Sequence, residues 1–555
     1  MAEAKGKGAD IRAETSKLKR GLTLLPLFGL LYFTVCGGSF GAEPMVGWSG
    51  PGMALLLMIL TPILFSIPNM LMVREMNSMM PHEGGYYHWT KQAFGPFVGF
   101  LVGWMNWVVS WVDVSIYPVY AAYYLGYFIP QLNEGMTIGG LFIEPWIVQW
   151  AVALILIWAI SALTIRGARF SGLTVNWMGA IMLLPLIIMS GVGIYAWITL
   201  GSDFRMTLLP GGAEVNMGSL TAAFATGLFI AMWNFMGWEL PTAAGSEVVK
   251  PKRTYPLAMV LVLVSAILTY SIPTVAGLYG GAGEGGRYAI WGIEASDPVE
   301  SEVITNADGT TSTVVLSGGL GDILAESGVT DEQIAAWDVG DVQEVKALDY
   351  GWEFPDIAHA IGDKVAGKDS ALSRFLGISV TVAAVLSMIG LFIGNGLGGT
   401  RIPFALAEDG MMPRWMVKVH PRYGTPWVAI VFCGVIFSIF ALQTFAFLVV
   451  LDVFLNVMAL LVQFAALWAL RFKRPDLPRQ KVPGGYVGLA LITLAPALVI
   501  GIAVYSQIVE EGFFNAVGLG LIAIAVGAVL YFPIRAIAKP GVPDVDPFHA
   551  DEEEA

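Results

Sequence analysis

Long stretches without a charged residue, separated by short polar punctuation, dominate the chain. Residues 21–42 hold no Asp, Glu, Lys or Arg, and neither do 44–73, 145–165, 170–202, 215–238, 254–283, 375–400, 482–509 and 512–534. Residues 92–133 are interrupted only by Asp113, and 423–470 only by Asp452. About 20 apolar residues cross the hydrocarbon core of a bilayer, so runs of this length predict membrane-spanning helices. Residues 21–42 and 44–73 give spans 1 and 2, turning near Gly50-Pro51-Gly52. Residues 423–470 give spans 9 and 10, turning near Gln443-Thr444. With span 6 continuing past Glu239, the pattern predicts an all-α polytopic membrane protein of twelve spans.

Two of those spans carry residues that a helix interior rejects. Span 1 contains Cys36-Gly37-Gly38-Ser39-Phe40-Gly41-Ala42-Glu43-Pro44, and span 6 contains Trp233-Asn234-Phe235-Met236-Gly237-Trp238-Glu239-Leu240-Pro241. Glycine gives no side-chain reason to stay helical, and proline lacks the N–H that a helix interior needs. Both spans are therefore expected to break. Irregular backbone at membrane depth is tolerated only where it is buried in protein or lines a cavity, as in the discontinuous helices of secondary transporters. The breaks lie five spans apart, an odd number, so a second copy of a five-span unit would be inverted in the membrane. That predicts a 5+5 inverted repeat of spans 1–5 and 6–10, with spans 11 and 12 appended.

Composition narrows the class. Of 555 residues, 56% are hydrophobic and 13% charged, and the net charge of −13 gives no reason to expect a nucleic-acid partner. Two cysteines, Cys36 and Cys433, both in predicted spans, make no disulfide framework, and the five histidines form no metal-binding motif. No cofactor is expected, and no nucleophile–base constellation points to an enzyme. The 30 Lys and Arg residues fall mostly in the N-terminal tail, the loops at 74–91, 166–169, 250–253, 401–422 and 471–481, and the C-terminal tail. By the positive-inside rule that face and both termini are cytoplasmic. The resulting organisation is an N-terminal tail (1–20), spans 1–7 (21–280), an acidic extracellular insertion (281–370), spans 8–12 (371–535) and a C-terminal tail (536–555). Within the insertion, 302–316 reads as a small hairpin turning at Asp308-Gly309, Gly321–Asp338 as a short helix, and the stretch from Phe354 as an amphipathic lid helix.

Four acids, Glu43, Asp113, Glu239 and Asp452, lie in the spans, and no Lys or Arg lies there to pair with them. Intramembrane acids are expensive and face a cavity or a partner. Glu43 and Glu239 each follow a break, where helix N-termini favour anions. They serve either as caps or as ligands. If protein carboxylates occupy those N-termini, the substrate needs amines and no carboxylate, and Asp113 would hold a further amine. Trp104, Trp107, Tyr117, Trp233 and Trp238 would supply cation–π faces and apolar walls. Asp113 is equally suited to a buried hydrogen bond. Asp452, near the outer end of span 10, falls outside the expected site. The candidate substrate site is Gly37, Gly38, Ser39, Phe40, Gly41, Glu43, Asp113, Tyr117, Trp233, Asn234, Trp238 and Glu239. A coupling proton would ride on Glu43, Asp113 or Glu239. Sodium would instead need carbonyls at 37–41 and hydroxyls from Ser379, Thr381 and Ser387.

Several stretches together resemble the amino acid–polyamine–organocation family. They are the span 1 glycines, Met79-Met80-Pro81-His82-Glu83-Gly84-Gly85-Tyr86-Tyr87, the run Ala244 to Pro256 and the run Arg401 to Pro413. Gly38 to Glu43, Trp104 to Trp107 with Asp113 and Tyr117-Pro118, and Trp233-Asn234 with Trp238-Glu239 are similar to its eukaryotic polyamine-uptake branch. Glu239 stands where that branch more often has Asp. The resemblance implies a leucine-transporter-like fold in the plasma membrane. It implies import of polyamines or related organic cations by alternating access, with a proton as the coupling ion. An amino-acid permease or exchanger is the alternative on the same scaffold, and a transporter-like sensor is a further one.

Overall fold

The computed structural model describes residues 22–80, 85–129, 131–209, 215–243, 248–284, 287–288, 291–292, 300–305, 311–317, 353–443 and 445–537. Among these, nine helices are long and apolar enough to cross a membrane. They are Pro51–Met79, Pro96–Leu125, Pro145–Ile165, Leu173–Leu200, Pro251–Ala282, Ala371–Glu408, Leu451–Lys473, Gly485–Val509 and Leu519–Ala536. Two shorter apolar helices, Leu24–Val35 and Trp427–Phe440, accompany them. The helix after Trp427–Phe440 begins at Phe445, so the chain turns where Gln443 predicts.

Burial sorts these helices into inner and outer. In Pro96–Leu125, 78% of the apolar window is buried inside the protein, against 17% in Leu519–Ala536 and 28% in Pro145–Ile165. The first is therefore a central post, and the others present leucine and isoleucine outward. The post packs most extensively on Ala371–Glu408 and then on Phe445–Lys473. Those three helices, with the two broken ones, form the core around the site.

Both expected breaks are present. The first helix ends at Val35, and the chain runs irregularly from Cys36 to Ala42 before a short helix, Glu43–Ser49. The helix Met217–Asn234 ends likewise, and the chain resumes as one tight turn, Leu240–Ala243. The left-handed backbone is carried by glycine: Gly38 at φ 92°, Gly41 at 84° and Gly237 at 91°.

The exposed backbone of the breaks is satisfied by the protein, as an apolar interior requires. The Ser387 hydroxyl donates to the Gly37 carbonyl. Asn234 Nδ2 donates to the Gly41 carbonyl at 3.0 Å. The Tyr270 hydroxyl donates to the Asn234 carbonyl at 3.1 Å, and Trp238 Nε1 to that of Phe235 at 2.9 Å. The two breaks also interlock, since a Cβ on Gly41 would stand 2.9 Å from the Trp233 ring and one on Gly237 would stand 2.7 Å from the Thr34 carbonyl oxygen.

Three features differ from expectation. The helix expected to end at Thr400 continues to Glu408, so Arg401 is helical and buried, and the core is not free of basic residues. Its guanidinium donates to the Leu397 carbonyl at 3.0 Å, a local bond that no charge-free run reveals. A small hairpin, Met136–Ile138 with Leu141–Ile143, interrupts the all-α pattern between two spans. A second hairpin pairs Glu300–Thr305 with Thr311–Ser317 where one was expected. The loop 74–91 contains a helix, Gly85–Phe94, in which His88 is buried. The expected lid helix is Phe354–Ala366, while the Asp308-Gly309 turn and the Gly321–Asp338 helix lie outside the described residues.

Candidate functional site

A small cavity lies where the breaks meet the central post. Thr34, Trp233, Met236, Gly237 and Leu240 supply its wall from the broken helices. Val109, Asp113 and Tyr117 come from Pro96–Leu125, Asn395 from Ala371–Glu408, and Asp452 and Asn456 from Phe445–Lys473. Its free volume is about 20 Å3, room for a water molecule and too little, as the side chains stand, for an amine with a carbon chain.

The polar wall has a definite sense. The Tyr117 hydroxyl donates to Asp113 Oδ1, and a phenol has one hydrogen to give. The 2.9 Å bond between that hydroxyl and Asn395 must then run the other way, with Nδ2 of Asn395 donating. This orients the amide and leaves Asn395 Oδ1 facing away from Tyr117. Asn395 Oδ1 and Asp452 Oδ1 are both buried with no hydrogen-bond donor among the described residues. Asn395 is 2% exposed, Asp452 3% and Asp113 7%. The lining residues thus include two carboxylic acids, Asp113 and Asp452, and two amides, Asn395 and Asn456, and none is Lys or Arg.

Of the twelve expected site residues, Asp113, Tyr117 and Trp233 line the cavity. Gly41 and Asn234 sit directly behind Trp233. Gly37 and Ser39 are bonded outward, to Ser387 and to the Thr269 carbonyl at 2.5 Å, and Gly38 packs near Met182. Phe40 stacks edge-on between Tyr124 and Phe354, on the side of the lid helix. Trp238 is fully buried against the second break.

The two acids that follow the breaks stand apart from the cavity. Glu43 opens the helix Glu43–Ser49 as expected, its Oε2 accepting from the Gly41 N–H at 2.6 Å. Its Oε1 accepts from the Phe354 N–H at 3.3 Å, which ties the broken helix to the lid. Glu239 lies on the opposite side and accepts from Asn69 Nδ2 at 3.2 Å. Trp104 and Trp107 point into packing. Trp104 Nε1 donates to the Ala523 carbonyl at 2.9 Å, and Trp107 stacks on Phe432.

The residue that sequence reasoning left out is Asp452. It lies near the start of Phe445–Lys473 and lines the cavity with Asp113. The available signal was its spacing from Asn456: four residues apart on a helix, the two share one face, and a polar face in an otherwise apolar span points inward.

The amino acid permease family profile matches residues 24–285 and 350–530. The chain belongs to that family. The gap in the match coincides with most of the acidic stretch, while the lid helix falls inside the second matched segment. A polyamine transporter of Arabidopsis thaliana, RMV1, is 26% identical over 97% of this chain and 90% of the relative. The rice polyamine transporter PUT1 is 26% identical over 94% of this chain and 79% of its own length. An uncharacterized transporter of Legionella pneumophila is 25% identical over 82% of this chain and 84% of its own. Family and apolar helices together make this permease a multi-pass membrane protein of a transport family.

Proposed function

We propose that this permease is a secondary transporter that imports polyamines or related organic cations across the plasma membrane, coupled to protons. The observation that carries the proposal is the make-up of the cavity wall: two carboxyl side chains line it, two of the lining residues hold a buried oxygen with no donor among the described residues, and no lining residue supplies a cation to balance them. A substrate bearing ammonium groups supplies both the charge and the donors. Tyr117 and Trp233 give it aromatic walls. The relatives named as polyamine transporters point the same way.

The alternative, an amino-acid permease, draws on the family's description. Its substrate carboxylate would need free N–H groups at the first break. There the Gly41 N–H is already taken by Glu43, which favours a substrate without a carboxylate. Proton coupling is favoured over sodium because buried carboxyl groups, Asp113 and Asp452 in the cavity wall and Glu43 and Glu239 beside the breaks, offer places for a proton to ride.

Twelve spans follow if both broken helices and Trp427–Phe440 are counted as crossings. The five-span interval between the breaks then makes the two halves an inverted repeat. With the Lys- and Arg-rich face and both termini cytoplasmic, the lid helix covers the site from outside. Alternating access would open the cavity to one side at a time. The test is uptake of radiolabelled putrescine, spermidine, arginine and leucine into proteoliposomes, with and without an inward proton gradient. Gradient-driven uptake of the two amines, with little of leucine, is expected. Uptake of leucine alone would move the assignment to the amino-acid reading.

A further inference from the structure

Asp452 stands across the cavity from the expected site and has no established part in it. Three helices each bring one acceptor-bearing side chain to the wall of the same small cavity. Asp113 on Pro96–Leu125 spends Oδ1 on the Tyr117 hydroxyl and keeps its other oxygen. Asn395 on Ala371–Glu408 is held by its Nδ2 on Tyr117, so its carbonyl oxygen is turned free. Asp452 on Phe445–Lys473 presents Oδ1 with no donor among the described residues. All three side chains are more than nine-tenths buried and line the same cavity.

We propose that Asp113, Asn395 and Asp452 form a three-acceptor clamp for one terminal primary ammonium group, with Asp452 the residue that selects it. A primary ammonium carries three N–H donors and one positive charge. It can therefore satisfy one oxygen from each helix at once. A secondary ammonium has two donors and leaves one acceptor bare, and a quaternary ammonium has none and leaves all three. A site built to hydrogen-bond a donor rejects analogues that lack it, because its own buried groups then go unpaired. The assignment rests on the organic-cation reading of the same cavity and adds to it a rule: the recognised feature is the primary amine end, with the carbon chain leaving between Tyr117 and Trp233.

The test is displacement of radiolabelled putrescine from the purified full-length protein. One competitor is unlabelled putrescine. The other is its bis-trimethylammonium counterpart, which has the same chain and charge but no N–H. Putrescine is expected to displace the label at least tenfold more effectively. Asp452→Asn, which keeps the size and loses the charge, is expected to weaken putrescine binding at least tenfold and to shrink that preference, and Asp452→Glu to recover part of both. Thermal melting of each variant separates a lost clamp from a lost fold. Equal competition by the two compounds would overturn the clamp, as would a folded Asp452→Asn protein that binds putrescine within twofold of wild type. If the wild type binds no amine, the organic-cation reading falls, and the clamp falls with it.

Discussion

At Gly237 the backbone adopts φ 91°, and an added Cβ would meet the Thr34 carbonyl oxygen at 2.7 Å. Both facts ask for glycine, one through the left-handed conformation and one through contact with backbone that cannot swing away. Gly237→Ala is expected to lower stability by about 1–3 kcal/mol and to depress transport more than expression. Melting temperature and uptake, measured on one preparation, check it. Asp356, on the helix Phe354–Ala366 and outside the candidate membrane spans, is a second instructive residue. Burial pushes its carboxyl up to about 6, against the pull of the Glu353 N–H and of His359. The docked lid then holds a proton that the undocked helix releases. Docking is firmest below the ordinary carboxylate range and weakens as pH rises through about 6. Protection of Phe354–Ala366 against hydrogen exchange, taken relative to intrinsic amide rates, should therefore fall between about pH 4 and 6, and Asp356→Asn should flatten the dependence. Neither residue announces its role in the sequence. Gly237 was legible as a helix breaker, but its contact with Thr34 and the burial of Asp356 are products of tertiary packing.

Between elements, the polar joints lie at the helix ends. Arg471, near the end of Phe445–Lys473, grips Glu75 with two bonds, Nε to Oε1 at 2.8 Å and an outer nitrogen to Oε2 at 2.5 Å. Glu75 is fully buried and also accepts from the Val482 N–H at 2.7 Å. Removing one partner strands a buried charge, so Arg471→Met is expected to cost about 3–5 kcal/mol. The double variant with Glu75→Met should recover much of that, as melting curves would show. On the same side, Lys91 of the Gly85–Phe94 helix pairs with Asp409 at 2.7 Å, and Tyr87 donates to the same oxygen at 2.7 Å. Burial alone would raise the Asp409 carboxyl, but His88, Lys91 and Tyr87 together hold it below its usual value. The helices themselves were readable from charge-free runs, because a bilayer demands such runs. The joints were not readable, because partners such as Glu75 and Arg471 are hundreds of residues apart and each looks locally like a solvated loop charge. The same limit hid Asp452, whose helix was predictable while its neighbour across the cavity was not.

For the whole molecule, the breaks, the central post and the helices Ala371–Glu408 and Phe445–Lys473 converge on one small cavity, and the acids sort themselves by position. Glu43 ties the first break to the lid, Glu239 pairs with Asn69 on the opposite side, and Asp113 and Asp452 share the cavity between them. Sequence reasoning grouped Glu43, Asp113 and Glu239 as one site because it sees depth along a helix but not direction around it. The proposed orientation has its own check. In a background with Cys36 and Cys433 replaced, both being buried, an impermeant thiol reagent should label Asp308→Cys in intact cells and leave Asp476→Cys untouched. Labelling in the reverse order would invert the topology. The central claim is that the cavity between the breaks binds an organic cation through Asp113. Its most direct test is gradient-driven putrescine uptake by wild type beside Asp113→Asn in proteoliposomes, with leucine as the second substrate. Robust putrescine uptake that falls at least tenfold in the variant is the predicted result. Leucine uptake by the wild type that Asp113→Asn leaves undiminished, with no uptake of putrescine, would contradict it.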